Sequence, residues 1–191
     1  LIHLWIMKLV CGVALQSDLG EHYEFLVMPI ALAPMVHSVL LGQRVGVYSS
    51  VFVSLFGALT IPSDDRWTFF AISLFCGLTS VFATRRVSKR GRLLRAGFWV
   101  GVMALLVDLI FAKISVSDLQ MLSGESWAIF GKACLIALST GLLTGLFVGG
   151  VLPLLEGLFG LTTEISWLEL SDLNHPLLRK MQIEAPGTFH H

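Results

Sequence analysis

The chain has 191 residues, 55% of them apolar and 14% charged, with a mean hydropathy of +0.80. Soluble globular chains carry about 25% charged residues, so an ordinary soluble domain is excluded. Thirteen basic and thirteen acidic side chains cancel, and no overall field recruits a nucleic-acid polymer.

Apolar runs alternate with short polar breaks along the chain. The first, LIHLWIMKLVCGVAL, covers 1–15, and the others cover 25–41, 46–61, 67–83, 93–112 and 127–151. A spanning helix needs about 17–25 apolar residues, so several runs sit at the lower limit. A buried helix of a large soluble protein is the alternative for any one run. Six runs with almost no polar face argue against it for the set. Leu1 in place of an initiator Met leads us to expect a fragment or a processed chain. The first run also resembles a signal-peptide core but lacks a basic leading region, so a spanning helix is preferred.

Within the 25–41 run, Pro29 and Pro34 are expected to kink the helix, and His37 reads as an interfacial histidine rather than a ligand. Cys11, Cys76 and Cys134 are widely spaced in apolar surroundings, without the spacing of a zinc site or a disulfide framework. They read as small buried hydrophobes. The break at 84–95 holds Arg85, Arg86, Lys89, Arg90, Arg92 and Arg95 and no acid. The positive-inside rule places it in the cytoplasm. Alternation then puts Asp18, Glu21, Glu24, Asp64, Asp65, Asp118 and Glu125 outside, Gln43 and Arg44 inside, and both chain ends inside. The basic break touches anionic headgroups in this reading.

Asp108 precedes the outer end of the 93–112 run, and Lys132 follows the outer start of the next at matching depth. A cross-helix ion pair is one reading of the two. Snorkelling of Lys132 to the surface is the other. In the last run Ala133, Ala137, Gly141, Gly145 and Gly149 recur every four residues. Such a small-residue ridge lets helix backbones approach closely, either as static packing or as an interface that moves.

The expected fold is therefore all-α: a polytopic membrane helical bundle with about six spanning helices and a short cytoplasmic helical tail. The tail after Pro153 offers a capping-box pair, Ser166 and Glu169. It also offers a helix start at Asn174-His175-Pro176, an Ala185-Pro186-Gly187 break, and Thr188 as the N-cap of a new helix.

The stretch LELSDLNHPLLRK…EAPGTFHH within this tail closely resembles the membrane exit and catalytic-domain start of bacterial seven-transmembrane receptors with an intracellular HD hydrolase domain, the PgpH-type cyclic-di-AMP phosphodiesterases. The resemblance extends over the whole chain. It implies a transmembrane region over 1–153 (six of the family's seven spans), a cytoplasmic linker over 154–185, and a truncated start of the HD phosphohydrolase domain over 186–191. It implies a bacterial inner-membrane protein that hydrolyses a cyclic dinucleotide with two divalent ions, manganese or iron. His191 is then the first metal ligand and His190 the second choice. The His-Asp pair that names the domain is expected beyond residue 191, so this chain alone is expected to be inert. The lipid bilayer and the dinucleotide are the implied partners, and a homo-oligomeric state is left open. A transporter or channel is the rival reading. The chain lacks the internal repeats, broken mid-bilayer helices and polar pathway that such a protein needs.

Overall fold

The computed structural model describes residues 2–15, 25–61, 65–85, 91–111 and 124–160. Every regular element among them is a helix: α1 (Ile2–Leu15), α2 (Leu32–Leu41), α3 (Gln43–Leu59), α4 (Arg66–Ala83), α5 (Gly91–Phe111) and α6 (Gly124–Phe159). Each of the six apolar runs has become helical. Three stretches are long and apolar enough to cross a membrane: Arg66–Ala83, Gly91–Phe111 and Phe130–Phe159. Phe25–Leu41 is a shorter apolar segment, and α1 and α3, with 14 and 17 residues, are short as well. The chain is thus a helical membrane bundle.

Local chemistry explains where the helices break. Residues 25–27 are helical, and the helix is interrupted at Met28-Pro29 before α2 begins. Proline supplies no N–H, and the chain turns there through Ile30 N–H to Met28 O (2.8 Å) and Leu32 N–H to Pro29 O (3.2 Å). Pro34 does not kink the helix as expected. It falls in the first turn of α2, where a backbone N–H would lack an intrahelical acceptor anyway. One residue, Gly42, separates α2 from α3. Its φ of 97° is a backbone conformation that favours glycine, and it lets two antiparallel helices follow each other directly.

Consecutive helices from α2 to α6 pack on one another, and α5 with α6 makes the most extensive contact. The interior is built from Met35, Phe69, Ile72, Val81, Leu93 and Val148, all fully buried, with Phe25 set edge-on against Phe69 at 5.7 Å between centroids. The outer surface is apolar: Phe52, Phe75, Ile110, Leu135 and Leu143 are all exposed. In water such a surface would aggregate, whereas against acyl chains it costs nothing. Trp67 and Trp127 are exposed near the starts of α4 and α6, and Trp5 near the start of α1. Exposed tryptophans near helix ends match the aromatic belts of membrane–water interfaces.

Candidate functional site

Two seams of small residues hold the bundle together. The first lies between α5 and α6. A Cβ built on Gly97 would collide with the backbone of Gly141. One on Gly101 would sit 2.6 Å from the Ala137 carbonyl oxygen, and one on Gly145 would sit 2.5 Å from that of Leu93. Here backbone meets backbone with no side chain between. Of the ridge residues named from the sequence, Ala133 and Ala137 are buried. Gly141 and Gly145 lie at the contact, and Gly149 is at its edge, where a Cβ would meet only Leu93 Cδ1 at 3.6 Å. The sequence reading missed the facing half, Gly97 and Gly101. Their four-residue spacing was the available signal, but bulky Phe98, Trp99 and Val100 fill the interval.

The second seam joins α2, α3 and α4 and is polar. Ser38, Ser50, Ser54, Ser73, Ser80 and Thr84 are buried. Four of these serines donate to a carbonyl of their own helix: Ser50 to Val47 (2.8 Å), Ser54 to Val51 (2.9 Å), Ser73 to Phe70 (3.1 Å) and Ser80 to Gly77 (2.7 Å). Such bonds let a hydroxyl sit in an apolar interior without cost from an unmade bond. Thr84 Oγ1 also reaches Ser38 Oγ at 3.0 Å, linking α4 to α2. Glycines fit against serines here: a Cβ on Gly77 would lie 2.6 Å from Ser50 Cβ, and one on Gly46 2.8 Å from Ser38 Cβ.

The charged and ligand-type residues are dispersed. Asp108 is buried at 2% exposure, and Lys132 lies on an exposed face of α6. His37 Nδ1 is 2.8 Å from Ser49 Oγ. His3 Nε2 is 3.1 Å from the Pro29 carbonyl oxygen, a bond in which only the ring nitrogen can donate. Cys76 is buried with its thiol 3.9 Å from the Val100 carbonyl, and Cys134 is half-buried. The side chain of Cys11 lies outside the described residues, as do His190, His191, the expected tail helices and residues 86–90 of the basic break. Among the described residues no three His, Cys, Asp or Glu side chains gather as a metal site.

The last helix runs through Pro153 to Phe159. Gly160, at φ 62°, then provides the left-handed residue on which helices commonly terminate.

Residues 1–163 match the family model described as "7TM receptor with intracellular HD hydrolase". A cyclic-di-AMP phosphodiesterase PgpH of Listeria monocytogenes is 34% identical over 195 residues, covering 100% of this chain and 25% of that protein. A cyclic-di-AMP phosphodiesterase PgpH of Bacillus subtilis is 27% identical, covering 86% of this chain and 23% of its own length. An uncharacterized protein of Synechocystis is 29% identical over 78% of the chain. The chain thus spans about a quarter of the length of the two phosphodiesterases it matches. No solved structure matches it.

Proposed function

Because the chain belongs to the family of seven-transmembrane receptors with an intracellular HD hydrolase, we propose that it is the membrane region of a metal-dependent phosphodiesterase acting on a cyclic dinucleotide, cyclic-di-AMP first. The observation that carries this reading is the family match over 1–163 combined with two relatives that bear that activity as their name. The protein sits in the bacterial inner membrane with its C-terminus in the cytoplasm, a reading supported by the unbroken basic charge of residues 84–95. Residues 154–185 form the cytoplasmic linker in this reading, and the hydrolase domain begins at 186.

In this reading His191 ligates one of two divalent ions, manganese or iron, and His190 supports it. Two imidazoles do not make such a centre, which needs three or four ligands in fixed geometry, so this segment by itself is inert. When bound, the ions supply charge stabilisation at phosphate and an activated water. The segment's own role is to carry a signal from the membrane helices to that centre.

The test is His191→Ala in the full-length protein, with metal content and cyclic-di-AMP hydrolysis measured together. Both should fall by orders of magnitude. Because neutral imidazole is the ligating form, wild-type occupancy should also decline as pH drops below about 6.5. Wild-type metal content and turnover in the variant would reject His191 as a ligand. Absence of hydrolysis in the wild-type protein, tested with each metal, would reject the enzyme reading itself.

A further inference from the structure

The break before α2 leaves backbone chemistry that lipid cannot repair. Residues 25–27 are helical, Pro29 supplies no N–H, and the Ile30 N–H turns to Met28 O at 2.8 Å. In a continuous helix that N–H would bond the carbonyl of Leu26, four residues earlier. The Leu26 carbonyl thus loses its usual donor, and Leu26 is buried. Hydrocarbon offers no replacement. Inside a membrane bundle such a group is matched by a neighbouring side chain or by an ordered water.

A cavity of about 20 Å³ lies against this break. Leu26, Met28 and Ile30 line one side of it, Cys76 of α4 another, and Thr140 and Thr144 of α6 a third. Gly101, the central residue of the 21-residue α5, lines it as well, which puts the cavity midway along that helix. One water needs about 10–15 Å³ of such space, so the cavity has room for a water and none for an acyl chain or an organic ligand.

The lining carries the bonds that a water needs. Thr144 already gives its hydroxyl proton to Thr140 O at 2.8 Å, so Thr144 Oγ1 can only accept, whereas the Thr140 hydroxyl can donate. A water can donate to the Leu26 carbonyl and to Thr144 Oγ1 and accept from Thr140, and about three bonds are usual for a buried water. Among the described residues no charged side chain lines the cavity. A neutral occupant fits there, whereas a cation would find no counter-charge.

We propose that this cavity is a buried water site, in which one water bridges the broken segment to α6 through Leu26 O, Thr140 and Thr144. Gly101 and Gly141, which meet in the tight α5–α6 contact, also line the cavity. The water therefore joins the break before α2 to the place where α5 and α6 approach most closely.

The experiment is X-ray footprinting of the full-length protein in lipid nanodiscs. A brief pulse splits bound water into hydroxyl radicals, which oxidise the side chains that touch it, and methionine and cysteine sulfurs are ready targets. Met28 and Cys76 line the cavity, whereas Met35 and Met7 are buried elsewhere. Peptide mass spectrometry should find Met28 and Cys76 oxidised several-fold faster than Met35 and Met7. Thr144→Val and Thr140→Val keep the side-chain shape, remove a hydroxyl, and should each bring those rates down toward that of Met35. Oxidation of Met28 and Cys76 no faster than that of Met35 would overturn the site. Wild-type rates in both valine variants would mean that solvent reaches the sulfurs by another route, and would overturn it too. Rates that rise when choline replaces sodium and potassium would assign the cavity to a cation and reject the water.

Discussion

A Cβ on Gly141 would strike the Gly97 carbonyl and lie 2.8 Å from the Gly101 amide nitrogen, whereas one on Gly149 would meet an ordinary side-chain contact. The same substitution should therefore act in opposite directions eight residues apart on one helix. Gly141→Ala must push two backbones apart and should destabilise the detergent-solubilised protein by about 1–3 kcal/mol, as overpacking does. Gly149→Ala should be neutral or stabilising, since alanine is preferred to glycine in a helix by about 1 kcal/mol. Thermal unfolding of the two variants side by side checks this, and equal losses would mean that the contact at Gly141 is not tight. A second expectation concerns Asp108 and Lys132. With one buried and the other on an exposed face, Asp108→Asn and Lys132→Gln should add to within about 0.3–0.5 kcal/mol in a double-mutant cycle. Coupling well beyond that would restore the ion pair. Matching depth was readable from residue number, but the direction in which each side chain faces depends on helix rotation, which residue number does not encode.

Among the elements, α6 was the most legible. Its four-residue ridge stood out because five small residues in one register are conspicuous in an apolar run. Its partner did not, because Gly97 and Gly101 become half of a contact only when α5 is laid against α6. The apolar run read from the sequence stops at 151, whereas the helix continues to Phe159. Within a membrane bundle neighbouring groups can compensate for the missing N–H of Pro153, and the helix continues until Gly160 turns it off. The buried serines of α3 and α4 were also passed over: a lone Ser in an apolar run carries no sign of which neighbour it will face. Of that seam, the Thr84–Ser38 bond is the one tested most directly. A cycle of Ser38→Ala and Thr84→Val should show coupling of about 0.6 kcal/mol, with a ceiling near 1.7, the range of polar contacts between membrane helices. Strict additivity would mean that Thr84 is held by its own helix alone, through Ser80 O and Val81 O.

For the molecule as a whole, hydropathy alone located the helices, because lipid imposes the same demand on every span: its backbone bonds must be made internally. Orientation rests on charge instead. With Ser88→Cys as the sole reactive cysteine, an impermeant maleimide should label broken cells and leave intact cells unlabelled. Labelling from outside would invert the topology. The proposed metal ligands His191 and His190 rest on resemblance alone, since two histidines after a Pro-Gly break have no periodicity that would place them.

The α5–α6 contact also has a mechanical consequence. It is tightest at Gly141 and already relaxed at Gly149, which makes it a fulcrum rather than a weld. Eighteen residues of helix lie between Gly141 and Phe159, an arm of about 27 Å at 1.5 Å per residue. A tilt of about 10° at the fulcrum would swing the far end of that arm by roughly 5 Å, comparable to one helical turn. Glycine contacts without interlocking side chains resist such a tilt least. A displacement too small to notice beside the fulcrum would thus arrive at the tail enlarged to the width of a side chain, in the manner of a crowbar.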